Sequence, residues 1–169
     1  MTVATHLSPV EIVGAVLDPE MPLLTLTDLG IIRDVTVGPD DAVTVTITPT
    51  YSGCPAMGTI RDDIESSLQR NGFDDVTIVT SLTPAWSSDW ITPVGVDKLR
   101  AAGYSPPGPA PARTSGPIPL TLTTRPRPVN CPQCGSAHTT LRSEFGATLC
   151  KAQYCCIDCG EPFDHVKEI

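Results

Sequence analysis

The sequence predicts an α+β chain in two parts: a small two-layer domain with helices on one face of a sheet, then a short β module held by cysteines. Three observations predict it. Residues 1–102 run through helical and strand periodicities in the order α-β-β-α-β. Six of the seven cysteines lie after position 130, four of them in two C-x-x-C-G hooks. Eight of the 18 prolines fall between residues 104 and 128. Proline lacks the N–H that helix and strand interiors need, so that stretch reads as an extended linker. The expected boundaries are 1–103 for the first domain, 104–128 for the linker and 129–169 for the cysteine module. A different reading of the linker packs Leu120–Thr123 on one domain as an edge strand.

The elements follow in order. Ser8-Pro9-Val10-Glu11 reads as a helix start, with Ser as N-cap, Pro at the first helical position and Glu closing a capping box. Val10, Val13, Val16 and Leu17 then give one apolar face, and Pro19 ends the helix at Asp18. Leu29–Val37 reads as a strand and Gly38-Pro39-Asp40-Asp41 as a turn. Val43, Val45 and Ile47 alternate with threonines, so the two strands form a hairpin. After the loop Thr50–Pro55, Met57, Ile60, Ile64 and Leu68 fall on one helical face, with Arg61, Asp62, Asp63 and Glu65 towards water. Asn71-Gly72 closes that helix with a left-handed cap. Val76, Ile78 and Leu82 suggest a third strand. Trp86 and Trp90 lie in a loop, where they either cover the core or form an interaction patch. Val94–Ala102 is a short last helix capped at Gly103.

Composition narrows the function classes. Apolar residues make up 40% of the chain, charged residues 18% and aromatics 5%. Net charge is −8, and residues 1–102 carry −9 of it against +1 for the remainder. A phosphate-backbone binder needs a basic face, so nucleic acid is not an expected partner. No apolar run approaches the roughly 18 residues of a membrane span. No Lys or Arg precedes the first apolar stretch, so it does not read as a secretory signal, and a cytoplasmic location is expected. Seven cysteines without such a signal read as metal ligands or reactive thiols rather than disulfides.

Cys131-Pro132-Gln133-Cys134-Gly135 and Cys156-Ile157-Asp158-Cys159-Gly160 are the two hooks, separated by 21 residues. Each presents two thiolates to one metal, and the glycine allows the tight turn behind the second sulfur. Four thiolates in tetrahedral array suit zinc, and the spacing is that of a zinc ribbon. Thr139–Glu144 and Lys151–Cys155 read as its strands. The expected ligands are Cys131, Cys134, Cys156 and Cys159, with a structural zinc. Sulfur donors alone do not choose the metal, so a rubredoxin-like iron or an iron–sulfur cluster fits the same ligands. Cys155 competes with Cys156 for the register; Cys156 restores the two-residue spacing. Cys150 and Cys155 otherwise read as packed thiols, or as a second transient metal site or redox pair.

Cys54 stands apart in the first domain, just before Pro55 and a predicted helix. A helix N-terminus stabilises a thiolate, which can bind a soft metal, accept a cluster or act as a nucleophile. The plainer reading is a small residue buried under a loop. No His is close in sequence; His6, His138 and His165 lie elsewhere. Asp18 and Glu20 flank Pro19 and read as ligands or as a helix-end turn. No Gly-rich phosphate loop, nucleophile elbow or paired-histidine helix is present.

Taken together, Leu17-Asp18-Pro19-Glu20-Met21-Pro22, Asp28-Leu29-Gly30-Ile31-Ile32 and Thr50-Tyr51-Ser52-Gly53-Cys54-Pro55-Ala56 resemble the small iron–sulfur assembly domain found in bacterial SufT and in the eukaryotic cytosolic iron–sulfur targeting factor. Further stretches match more narrowly: Trp86-Ser87-Ser88-Asp89-Trp90-Ile91, Lys98-Leu99-Arg100, Pro106-Pro107, Phe145-Gly146-Ala147-Thr148, Cys150-Lys151-Ala152 and Glu161-Pro162-Phe163-Asp164, together with the first hook and Ser136. The whole is similar to the PaaD family, the D component associated with phenylacetyl-CoA epoxidase in bacterial phenylacetate degradation. One departure is Cys155, where that pattern leads one to expect a basic residue.

The resemblance implies a two-layer iron–sulfur-assembly-type domain followed by a β zinc ribbon. It implies a role in maturing a metal centre of the epoxidase, with the reductase and oxygenase components as clients. It makes Cys54 the ligand of a transient iron or iron–sulfur cluster, with Asp18, Glu20 and Thr50 as neighbouring motif residues. Two chains can each give one Cys54 to a shared cluster, which makes a homodimer plausible. The competing functions are a non-catalytic docking component in which Cys54 is inert, and an enzyme using Cys54 as a nucleophile or redox thiol. The missing general base and phosphate loop put the enzyme last.

Overall fold

A computed structural model describes residues 7–51, 53–111 and 128–169; the Leu120–Thr123 stretch and most of the Pro-rich segment fall outside them. The chain divides into two compact units, Met1–Lys98 and Leu99–Ile169.

In the first unit, α1 (Pro9–Gly14) begins as the sequence predicts. Ser8 Oγ accepts from the Glu11 N–H at 3.4 Å, and Glu11 Oε2 accepts from the Ser8 N–H at 2.8 Å. The helix is shorter than expected. Ile12 and Val13 are its buried residues, while Val10 and Leu17 are 58% and 49% exposed. The cause is tertiary. After Ala15 the chain pairs with residues 24–26: the Leu26 N–H donates to Val16 O, the Asp18 N–H donates to Leu24 O, and Leu17 bridges Thr25. These bonds take over from the helical ladder four residues before Pro19.

Strand β1 (Ile32–Val37) pairs antiparallel with β2 (Val43–Ile47), placing Val35 opposite Val45 and Val37 opposite Val43. Asp41 takes a positive φ of 57° in the connecting turn, a conformation that Asp tolerates. The strand starts later than the expected Leu29. Gly30 sits at φ +65°, a left-handed conformation that interrupts an extended run, and a Cβ there would lie 2.6 Å from Trp90 O. Leu29 and Ile31 are buried nonetheless.

Helix α2 (Met57–Arg70) leads to β3 (Val76–Thr80), which pairs parallel with β2, so β2 is the central strand. Ile60, Ile64 and Leu68 form the buried stripe of α2, as their i, i+4 spacing requires. Together with Val13, Leu24, Leu26, Val43, Val45 and Ile47 they supply fully buried side chains of the unit. Gly72 takes φ +90° behind α2. Met57 is only half-buried, and Leu82 is exposed beyond the end of β3. Trp86 belongs to the core at 3% exposure, its indole N–H donating to Leu29 O at 2.9 Å. Trp90 is half-buried, with the Arg33 guanidinium 3.8 Å from its ring centroid. The last helix, α3 (Pro93–Ala101), starts one residue ahead of the expected Val94.

The second unit is an antiparallel sheet, β4 (Thr139–Ser143), β5 (Lys151–Cys156) and β6 (Pro162–Val166), with β5 in the centre. The third strand, with Phe163, His165 and Val166 buried, is an addition to the two-strand expectation. Ser105 runs beside β6: its N–H donates to Asp164 O, and its carbonyl accepts from Val166, both at 2.9 Å. The buried cluster here is small: Val129, Cys131, Cys156 and Phe163, with Tyr154 packed against it. Two of those four are cysteines of the hooks. Modules of this size commonly need a metal or disulfides beside their apolar contacts, and here the sulfur centre is part of the core.

Candidate functional site

The hooks are built by their glycines. Gly135 and Gly160 take φ +75° and +79°, and their N–H groups donate back to Cys131 O and Cys156 O at 2.9 and 3.0 Å. Each turn aims two sulfurs at one point. Sγ of Cys131 lies 3.7 Å from Sγ of Cys159, and Sγ of Cys134 lies 3.6 Å from Sγ of Cys156. All four lie within 4.8 Å of one another. Zinc–sulfur bonds of about 2.3 Å at tetrahedral angles put sulfurs roughly 3.8 Å apart, so the donor set fits zinc.

The thiols resist ionising together. The Cys159 N–H pulls Cys156 down to about 7, helped by the neighbouring thiols. Cys159 is pushed up to about 12: the Glu161 N–H favours its thiolate, but desolvation and the thiols of Cys134, Cys156 and Cys131 outweigh that. A bound dication lets all four carry charge at neutral pH.

Cys155 lies outside the quartet, its Sγ 3.6 Å from Gly160 O. Cys150 is buried, its Sγ 3.1 Å from Thr148 Oγ1. Sequence reasoning missed a polar cluster behind the hooks. Ser136 Oγ donates to Asp158 Oδ2, and His138 Nδ1 lies 3.4 Å from Asp158 Oδ1. The Ser136 bond, reinforced by His138, holds the Asp158 carboxyl below the usual carboxylate range. The only sequence signal was Ser at the exit of one hook and Asp inside the other.

In the first unit, Cys54 sits in the turn between β2 and α2 and is half-buried. Its N–H donates to Tyr51 O at 3.2 Å, and its carbonyl accepts from the Met57 N–H at 3.4 Å. Ala56 is the N-cap of α2 and supplies no side-chain hydrogen bond, and Cys54 lies two residues ahead of it. Thr50 opens the same loop and is half-buried. Asp18 is 6% exposed, and its Oδ1 accepts from the N–H groups of Glu20 and Met21 at 2.9 and 2.7 Å. It therefore holds the Pro19–Met21 turn. The structure brings Cys54 and Thr50 into one loop and Asp18 and Glu20 into another. Among the described residues, the quartet is the one group of three or more His, Cys, Asp or Glu side chains whose ligand atoms converge on a metal-sized space.

The Asp28-Leu29-Gly30 motif has a physical basis. Asp28 Oδ2 accepts from the Thr25 N–H at 2.9 Å and from Lys98 Nζ at 2.6 Å, while the Asp28 N–H donates to Thr25 Oγ1 at 3.0 Å. Gly30 and Gly95 give the backbone room: a Cβ on Gly95 would lie 2.8 Å from Asp28 O.

Residues 11–80 match the iron–sulfur cluster assembly protein family, and residues 116–167 match the PaaD zinc beta ribbon domain. The chain is 37% identical over 84 residues to the "Fe-S protein maturation auxiliary factor" of Porphyromonas gingivalis, covering 49% of this chain and 79% of that protein. A crystal structure of a domain of unknown function, DUF59, from Bacillus anthracis superposes with a TM-score of 0.51 at 27% identity, over 54% of this chain and 87% of that one. The class is thus an iron–sulfur-assembly-type α+β domain joined to a zinc ribbon. Over 150 residues, 89% of this chain and 85% of the relative, it is 46% identical to the Escherichia coli protein named as the D component of a 1,2-phenylacetyl-CoA epoxidase. The chain belongs to that family, PaaD. Among the described residues no helix is long and apolar enough to cross a membrane.

Proposed function

We propose that this chain is a non-catalytic accessory factor of a phenylacetyl-CoA 1,2-epoxidase system in phenylacetate catabolism, and that it assists assembly of iron–sulfur or iron centres in the epoxidase components. Cys131, Cys134, Cys156 and Cys159 hold a structural zinc. Cys54 holds iron or an iron–sulfur cluster transiently, with Asp18, Glu20 and Thr50 shaping the loops around it, and the reductase and oxygenase components receive the cargo in the cytoplasm.

The observation that carries this reading is the contrast between the two sulfur sites. Four thiols converge at tetrahedral spacing in one unit. In the other, a single half-buried cysteine lies on a loop just ahead of the first turn of α2. Closed four-cysteine sites retain their metal, whereas a site with few protein ligands releases what it carries. Sharing between two chains, each giving one Cys54, completes the coordination of a cluster without a permanent site.

A second reading has its own support. Among the described residues, Cys54 belongs to no converging group of three metal-binding side chains, which fits a docking component in which Cys54 is inert. Co-expression separates the two. The epoxidase reductase and oxygenase components are produced with wild type, with Cys54→Ser, or with no added chain, and their iron and sulfide contents are measured. Maturation predicts full centres with wild type only. Docking predicts that Cys54→Ser serves as well as wild type.

A further inference from the structure

Each hook fixes its own pair of sulfurs through its glycine turn, but the close sulfur–sulfur distances run between hooks: Cys131 to Cys159 and Cys134 to Cys156. Beyond the turns and the backbone pairing of β4 with β5, a polar cluster behind the hooks links one to the other. Ser136, two residues past Cys134, donates its hydroxyl to Asp158, which lies between Cys156 and Cys159. The other oxygen of that carboxylate faces His138 Nδ1 at 3.4 Å. His138 is tied to both hooks: its N–H donates to Ser136 Oγ at 3.0 Å, and its carbonyl accepts from the Ile157 N–H at 2.8 Å.

We propose that Asp158 is a positioning residue for the metal centre, clasping the two hooks through Ser136 and His138 and slowing the escape of the bound dication. None of the three side chains belongs to the ligand set. The clasp is separable from the fold. The β4–β5 register, with Thr139 opposite Cys156, aligns the strands without it. The Asp158 and His138 side chains are 50% and 78% exposed, so truncation leaves no cavity. Groups that orient metal ligands in this way commonly change metal affinity by about 10- to 100-fold when removed.

The test loads the full chain with zinc and times its release to an excess of a chromogenic chelator. Asp158→Ala and Ser136→Ala each release zinc about tenfold faster than wild type. The double variant releases zinc more slowly than the product of the two single effects would give, because both substitutions remove the Ser136–Asp158 bond. Asp158→Asn keeps an acceptor for the Ser136 hydroxyl and restores slow release. Cobalt in place of zinc gives the same tetrahedral thiolate absorption in every variant, showing that the ligand set is intact. Release from Asp158→Ala at the wild-type rate would overturn the clasp. So would multiplying effects in the double variant, an Asp158→Asn rate equal to that of Asp158→Ala, or an altered cobalt spectrum.

Discussion

Lys98 Nζ lies 2.6 Å from Asp28 Oδ2, closing 70 residues of chain on one ion pair. The acid is 6% exposed, and its carboxylate also accepts from the Thr25 N–H. A buried acceptor with a charged partner cannot lose that partner cheaply. Asp28→Ala is expected to cost the first unit about 2 kcal/mol, and Lys98→Ala about 1 kcal/mol because the Thr25 bonds remain. Urea unfolding followed by tryptophan fluorescence reads this unit, since Trp86 and Trp90 are the chain's tryptophans. Midpoints equal to wild type would mean that the pair is incidental.

The same carboxyl gives the unit a pH dependence. Desolvation pushes Asp28 up, but the Lys98 hydrogen bond, the two Thr25 bonds and the Lys98 charge together hold it below 3.8. A folded-state value below the unfolded one stabilises above the unfolded pKa, near 4, and that contribution fades as pH falls through the folded value. The stability gap between wild type and Asp28→Asn is therefore expected to narrow between pH 5 and pH 3. A gap constant across that range contradicts the assignment.

Gly30→Ala and Gly72→Ala separate strain from space. Both glycines have positive φ, but a Cβ at position 72 meets nothing within 4 Å, whereas at position 30 it would lie 2.6 Å from Trp90 O. Gly72→Ala is expected to cost about 1–2 kcal/mol for conformation alone. Gly30→Ala adds a backbone clash and costs about 3 kcal/mol or more. Equal losses in urea would show that the close approach of Trp90 carries no energetic weight.

Removing the metal from the ribbon should unfold it rather than loosen it. Cys131 and Cys156 sit with Val129 and Phe163 in its buried cluster, so stripping the sulfurs of their cation leaves unbridged thiols inside that core. Hydrogen exchange is expected to lose protection at the β5 and β6 amides once a strong chelator is added. Protection that survives complete zinc removal would mean that the apolar contacts suffice.

Local chemistry made much of this legible in the sequence. The Ser8–Glu11 box, the hairpin around Asp41, the Ile60–Ile64–Leu68 stripe and the two C-x-x-C-G turns each depend on residues a few positions apart, where side-chain type dictates backbone geometry. Long-range pairing was not legible. The end of α1 is set by bonds from residues 16–18 to residues 24–26. Strand β6 contains a proline and only five residues, and it is defined by its register with β5 rather than by its own pattern. The Asp28–Lys98 and Ser136–Asp158 pairs span 70 and 22 residues, distances at which spacing carries no signal. Cys54 was readable as a singular thiol before a helix, but its partial burial was not, because that depends on the tertiary packing of the loop.

The measurement bearing most directly on the division of labour between the two sulfur sites is anaerobic loading with iron and sulfide, followed by visible absorption and metal analysis before and after a mild chelator. Wild type is expected to gain iron–sulfide absorption that the chelator removes while about one zinc per chain stays behind. Cys54→Ser is expected to keep the zinc and gain no such absorption. Equal iron–sulfide loading in both proteins would contradict the account.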